Sequence, residues 1–476
     1  MYKTMKYILL LVFVCSSFLA SAQKPITWSA GMNLAANSFG NLHPRITVDG
    51  RGNPLIIWGR ASGESLFFSR YDGKNFTAPK QVNPMGIPIA TASWMGPQIA
   101  SKGDTVYIVM KQTPENLSTS HIYLVSSFDG GKSFSPAVRV DAIADSLSRF
   151  PTVTVDDRGN PIVAFMKFNA AFMDSRWAVT RSTDMGKTFL QDVKASGYSG
   201  KNALVCDCCP GTILSTPGVT AMLYRDNLSN IRDIWAGISR DESATFASGF
   251  HAENTNWNIN SCPATGPDGV IIGDSLYSVF MSSGTGSART YLSSSSLTKS
   301  SVSTVTRLGG TINGLSQQKY PRIATDGTAL AIVWRQTVNG VAQLPIGFTP
   351  SVGAPLVYDT VDLADITTVD VAMHNGTVYV VWEDDNSGTI KIRTGSYASP
   401  SAVEELTESD MELYPNPAEN ILHVSAAPAQ GNVRIYNPLG AIVLETEQSP
   451  AIDVTALVPG VYFIHTGNRY RTFVKR

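Results

Sequence analysis

The side chains best suited to chemistry are cysteines. Of the five in the chain, three crowd into Cys206-Asp207-Cys208-Cys209-Pro210 and a fourth stands in Cys262-Pro263. Thiols this close form disulfides in an oxidising compartment or, as thiolates, hold a soft metal such as copper or zinc. Four cysteines allow three pairings. The favoured one links Cys262 to Cys208 or Cys209, because pairing inside the cluster strains the chain unless its backbone is unusual. A metal would want help from a histidine or carboxylate, and Asp207 and His251 are only loosely placed to give it. Disulfides are therefore expected and no cofactor is predicted. A soft metal at Cys206, Cys208, Cys209 and Cys262 is the rival reading.

A second set of candidates follows from the elements that must carry it. A proline opens a β-rich run, a Gly- or Asp-containing turn follows, and a second run ends near an aromatic residue. The clearest copies run from Pro44 to Trp58, Pro151 to Phe165 and Pro321 to Trp334. Weaker ones run from Pro97 to Met110, Pro210 to Tyr224, Pro263 to Phe280 and Val369 to Trp382. The spacing is roughly 50–60 residues, that of a β-propeller blade. Helical periodicity is almost absent. Such a unit buries its faces only against neighbours, and radial closure protects its edges. The expected fold is all-β: a β-propeller, seven blades favoured and six the alternative, followed by a small C-terminal β-sandwich. The strand around Ile26–Trp28 is expected to complete the last blade and close the ring.

In such a ring, first-strand starts and second-strand ends share one face. The starts are preceded by His43, Gly96, Phe150, Cys209, Cys262 and Tyr320, and the ends carry Arg60, Lys111, Lys167, Arg225, Asp226, Arg335, Glu383 and Asp384. This mouth of mixed charge suits a sulfated or carboxylated glycan. A plain hydrated rim of loop-end charges is the bland alternative.

Two turns then point to a family. Ser127-Phe128-Asp129-Gly130-Gly131-Lys132-Ser133-Phe134 and Ser182-Thr183-Asp184-Met185-Gly186-Lys187-Thr188-Phe189 both read S-x-D-x-G-x-x-aromatic. They resemble the Asp-boxes of sialidase-like propellers, with degenerate copies at 69–76 and 239–246, the latter with Ser243 in place of glycine. Ser127, Asp129, Gly131, Phe134, Ser182, Asp184, Gly186 and Phe189 are thus expected to be structural: the carboxylate gathers turn amides and the glycine permits the bend. The resemblance implies, for an enzyme, three arginines clamping a sugar carboxylate, a tyrosine nucleophile with its glutamate, and an aspartate acid/base. The family's first arginine motif is aromatic-Arg-Ile-Pro, and His43-Pro44-Arg45-Ile46-Thr47 departs from it. Arg60, Arg225, Arg335 and Tyr224 are available, yet none stands in a family motif. Asp226, Glu383 and Asp384 are the carboxylates for an ordinary two-acid glycosidase.

The ends speak of transport. Lys3 and Lys6, an apolar run from Tyr7 to Val14 and Ala20-Ser21-Ala22 read as a signal peptide, 1–22. Lipidation at Cys15 is disfavoured by Val14. The C-terminal block contains Tyr414-Pro415-Asn416-Pro417, Val433-Arg434-Ile435-Tyr436-Asn437-Pro438-Leu439-Gly440 and Val458-Pro459-Gly460-Val461-Tyr462-Phe463. It resembles the C-terminal sorting domain of the type IX secretion system, which implies export to the outer face of the outer membrane, removal of the domain, and surface attachment or release. The expected domains are the signal peptide 1–22, a propeller 23–397, a linker 398–410 and the sorting domain 411–476.

A net charge of −1 supplies no basic field for nucleic acid or an anionic membrane. Phosphate loops, His-rich metal motifs and nucleophile elbows are absent from the sequence. Two functions remain. One is a secreted or surface propeller that binds a polysaccharide or protein partner through its charged mouth. The other is a secreted sialidase-like glycoside hydrolase or lyase with a divergent site.

Overall fold

The computed structural model describes residues 25–35, 40–142, 146–310, 312–398, 407–408, 412–425, 432–438, 441–447, 449–466 and 469–476. The expected signal peptide and most of the expected linker lie outside them. The chain divides into two compact units, 1–398 and 399–476. Among the described residues there is no α-helix, only one short 3-10 turn at Ala61–Gly63.

The first unit holds seven antiparallel sheets of four or five strands. In chain order their first strands are Asn41–Val48, Gln98–Lys102, Ser146–Val155, Thr212–Thr216, Asp268–Ile272, Leu315–Thr325 and Ile366–His374. Each first strand packs against that of the next sheet, and the seventh packs against the first. The seventh sheet borrows its outer edge from the chain start: Thr27–Trp28 and Met32–Asn33 both pair with Thr389–Ser396. The two ends of the unit therefore meet in one sheet, an arrangement that is propeller-like.

Burial explains why the strands read as unbroken apolar runs. Each middle strand is covered on both faces by neighbouring sheets, as in Leu55, Ile56, Ile57 and Trp58, all at most 1% exposed. The apolar residues divide into one cluster per seam. Tyr107 and Val109 of the second sheet meet Val163 and Phe165 of the third, and Ile390 and Ile392 of the seventh meet Ile46 and Trp58 of the first. Every seam around the ring has such a cluster. Stability is thus spread around the ring rather than held at its axis.

The Asp-box turns join third to fourth strands. Asp129 accepts from the Lys132 and Ser133 amides at 2.9 and 3.0 Å and from the Ser133 hydroxyl at 2.6 Å. Ser127 Oγ donates to Asp129 and accepts from the Gly131 amide, both at 2.8 Å. Ser182, Asp184, Gly186 and Thr188 repeat the network. So do Ser239, Asp241 and Thr245, with Ser243 held at φ +63° where the full motif has glycine. Phe134 meets Phe68 of the preceding sheet edge-on, ring centroids 5.1 Å apart.

One repeat boundary differs from the sequence reading. The fifth sheet opens at Pro267-Asp268, not at Pro263, which lies in the loop before it. Cys262-Pro263 mimics Cys209-Pro210, and that likeness masks the strand start four residues on.

The second unit has a five-stranded sheet and a three-stranded sheet. They share one core that includes Leu422, Val424, Ile435, Ile452, Ile464 and Phe473.

Candidate functional site

Three first strands contain the same irregularity. His43, Phe150 and Tyr320, each before the opening proline, sit at φ +56°, +49° and +54°, and the register shifts there. A bulge with a left-handed residue is costly, by about 1–3 kcal/mol, and re-aims the chain at the channel. Of the three, Tyr320 lines a channel cavity.

Just past the bulges lies a feature that only the register reveals. Arg45, Gln98, Thr152, Thr212, Asp268, Arg322 and Asp370 occupy equivalent positions: each pairs with the residue before a buried large side chain of its second strand. All seven are polar and all line the central channel. Arg322 Nε reaches Asp370 at 2.8 Å and Asp268 at 3.4 Å. Arg45 Nε donates to Gln98 at 3.2 Å, and Thr212 Oγ1 donates to Asp268 at 3.3 Å. Asp268 also accepts the Ile323 amide and Asp370 the Ile46 amide, each at 3.0 Å. The last bond crosses from the seventh sheet to the first. The repeat alone explains Arg45 and Arg322 as companions of the opening proline and does not show that Arg322 meets acids, and Arg45 an amide, at the same register.

This ring forms a neck. Beyond it the channel is a polar cavity of about 480 Å³ lined by Thr47, Ser101, Thr154 and Ser215 among others. On the mouth side a cavity of about 50 Å³ lies among Arg45, Ser93, Trp94, Gln98, Tyr320, Arg322 and Thr368. Trp94 is 37% exposed there. Burial, reinforced by Arg322, brings Arg45 down to about 9. Burial and Arg45 also hold His43 well below the usual histidine range. Arg322 goes the other way: burial opposes its charge, but Asp268 and Asp370 more than compensate.

The eight charged residues expected at the mouth take other places. None lines either channel cavity. Five are buried: Lys111, Arg225, Asp226, Glu383 and Asp384. Lys111 donates to the Ser120 carbonyl and to Ser148 Oγ. Arg225 spends its guanidinium on the carbonyls of Thr265, Arg232 and Met281 at 2.6–3.1 Å, tying the fourth sheet to the fifth. Asp384 accepts from Lys391 and the Asn386 amide. Burial raises Asp226 to about 6. The other three are half-buried: Arg60, Lys167 with Asp192 at 2.7 Å, and Arg335 with Asp365 at 3.2 Å. The physical reason is the seam. A strand end in this ring is flanked by other sheets, so the long Lys111 and Arg225 side chains turn inward and find carbonyls, while Glu383 and Asp384 accept from donors nearby.

Glu383 stands nearest the mouth. Its carboxylate accepts the Thr368 hydroxyl at 2.7 Å and the His43 amide at 3.2 Å, and Thr368 lines the mouth cavity. Burial pushes it up to about 7. Tyr224 is buried, and its hydroxyl accepts the Gly197 amide at 3.2 Å.

The cysteines do come together. Cys208 is bonded to Cys262, while Cys206 and Cys209 are buried thiols. Cys206, Cys208 and Cys209 form the three-sulfur group, with no histidine or carboxylate in it. His251 is instead paired with Asp233 at 3.1 Å and stacked on Trp235. With Cys208 already bridged, two thiols do not fit a closed four-thiolate metal site.

Among solved structures, a Hadza microbial sialidase is similar at 12% identity, over 77% of this chain and 68% of its own, with a TM-score of 0.48. A Penicillium chrysogenum alpha-L-arabinanase is similar at 11% identity over 78% and 98%, TM-score 0.46. An ulvan lyase is similar at 11% over 76% and 93%, TM-score 0.48. No curated protein matches the sequence. Residues 412–476 match the family model described as the secretion system C-terminal sorting domain, and the protein that carries it is secreted or displayed at the cell surface.

Proposed function

We propose that the seven sheets are blades of a seven-bladed β-propeller, residues 23–397, whose mouth binds a polysaccharide or protein partner. On this reading 1–22 is the signal peptide, 398–410 the linker and 411–476 a small β-sandwich. The sandwich hands the chain to the type IX machinery and is then removed.

The observation that carries the binding role is the small volume of the mouth cavity. Pockets that engulf a small ligand are about 300–1,000 Å³. The space above the neck is about 50 Å³, walled by exposed Trp94 and by Tyr320 and floored by Arg45, Gln98 and Arg322. Such a dish suits the side of an extended chain, stacked on Trp94 and facing the guanidinium groups. Arg60, Lys167 and Arg335 stand half-buried at the strand ends, Lys167 and Arg335 each paired with an aspartate, and Lys111, Arg225, Asp226, Glu383 and Asp384 are buried. A sulfated or carboxylated glycan is the favoured ligand.

Calorimetry of the exported protein against sulfated and uronic-acid polysaccharides tests this. One member of the panel should bind, and Trp94→Ala should weaken it about tenfold. No binding across the panel, or undiminished binding by the variant, sinks the mouth as the site.

Glu383 favours the second reading, a glycoside hydrolase or lyase of sialidase-like shape. A carboxyl raised to about 7 beside the mouth is suited to acid/base work at neutral pH. New reducing ends or unsaturated uronate, lost in Glu383→Gln, would move the assignment from binding to catalysis.

A further inference from the structure

We infer that Cys206 and Cys209 close a second disulfide in the exported protein, local to one turn and adjacent to the Cys208–Cys262 bridge.

Pairing within so short a segment needs a backbone that folds back at once, and the turn supplies it. The Cys209 amide donates to the Cys206 carbonyl at 3.2 Å, so the two cysteines are the ends of a β-turn, with Cα atoms within about 7 Å. Cys208, inside the turn, is already bonded to Cys262. The sulfur distances select the pair: Cys206 to Cys209 is 2.8 Å, against 3.5 Å from Cys206 to Cys208 and 3.9 Å from Cys208 to Cys209. Both free thiols are at most 1% exposed, so in the folded state each is enclosed with the other.

In the docked turn the two sulfurs differ in acidity. Arg232 Nη1 lies 3.1 Å from Cys206 Sγ. The hydrogen bond from Cys209 and the charges of Arg225 and Arg232 hold Cys206 toward its thiolate, while burial pushes the Cys209 thiol up. The reaction needs an oxidant, here a disulfide-bearing carrier of the export compartment. The Cys206 thiolate attacks one sulfur of the carrier and expels the other as a thiolate. Cys209 then loses its proton and attacks Cys206 Sγ, and the carrier leaves fully reduced. Burial of both sulfurs places these steps before the turn docks.

The consequence reaches the mouth whatever the mouth binds. Pro210 to Thr212 follow Cys209 directly, and Ala264 to Pro267 follow Cys262; both stretches line the mouth cavity. The two loops touch backbone to backbone, since a Cβ on Gly266 would meet the Pro210 carbonyl oxygen at 1.9 Å. One bridge fixes the turn and the other ties it to the next sheet.

The test is intact mass of the exported protein, denatured with iodoacetamide and without reductant. The expected result is a mass four hydrogens below the all-thiol chain with no label. Cys262→Ser should then show one label, on Cys208. Label on Cys206 and Cys209 in the unaltered protein overturns the inference. So does label on Cys206 or Cys209 in the variant, or four labelled thiols with bound metal. The unaltered protein decides between these outcomes even where the variant fails to fold.

Discussion

The Asp-box turns and the channel neck both depend on aspartates, and they use them in opposite ways. In the boxes every donor to the carboxylate comes from the same short turn, as Ser127, Lys132 and Ser133 do for Asp129. In the neck the donors come from other sheets: the Ile323 amide is 55 residues from Asp268, and the Ile46 amide is 324 residues from Asp370. Proton affinity divides the same way. Hydrogen bonds from Thr188 and Thr245 draw Asp184 and Asp241 to about 2, and Asp129 reaches about 2 although burial opposes it. Asp268 is raised, because burial outweighs Arg322. A box completes itself within one hairpin. The neck exists only once distant sheets have met, so it reports the closed ring.

The largest expected effect follows from that difference. Arg322→Ala removes the one guanidinium that reaches both neck acids and leaves Asp268 and Asp370 without it. Breaking a buried ion pair from one side costs about 3–5 kcal/mol, and denaturant unfolding of the exported protein should show a loss of that size. Arg322→Lys should recover only part, since a single ammonium cannot present a planar fork to two carboxylates. A loss under about 1 kcal/mol would mean that the ring is held by its apolar seams alone.

The same contrast explains what is legible in the sequence. The boxes can be read directly, because eight contiguous residues contain the whole network. The degenerate copy at 239–246 is recognisable too, since only Ser243 departs and its hydroxyl finds Thr220 at 2.9 Å. The repeat, its opening prolines and the edge strand at Thr27–Trp28 follow from period and pattern. The neck does not, because Arg45, Asp268, Arg322 and Asp370 become equivalent only when the strands are paired, and the false start at Pro263 puts Asp268 out of register. Charges at strand ends read as a rim because loop ends are usually wet. Here the seams between sheets take in Lys111, Arg225 and Asp226. The cysteine cluster is visible in the sequence, but the turn that makes Cys206 and Cys209 neighbours is not.

A middling effect tests whether the boxes owe their glycine to backbone or to space. Gly131 lies at φ +80°, and an added Cβ would meet Phe68 Cζ at 2.3 Å. Ser243 keeps a side chain at φ +63° in the equivalent place. Gly131→Ala should therefore cost about 2 kcal/mol, most of it from displacing Phe68 rather than from the dihedral. If denaturant unfolding shows a loss no larger than about 0.5 kcal/mol, the second-sheet box tolerates a Cβ as the fourth-sheet box does.

The smallest effect is the one that separates the two regions by pH. Glu383, beside the neck, is raised to about 7 by burial, against which the Thr368 and His43 hydrogen bonds act only in part. Its folded form binds the proton more tightly than the unfolded chain does. The stabilisation is therefore complete below about 4.5 and is lost as pH climbs through 7. Glutamine keeps the neutral shape and cannot ionise, so Glu383→Gln should match the parent near pH 4 and exceed it above pH 7. The excess is on the order of 1 kcal/mol once water reaching the carboxyl is allowed for. The box aspartates act in the reverse sense: their contribution is present above about 4 and fails as pH falls toward 2. Urea unfolding of both proteins from pH 4 to 8 resolves the Glu383 term alone, because the boxes and the neck contribute equally to each. A difference independent of pH would mean that Glu383 ionises freely and that the region beside the neck is wetter than its burial implies.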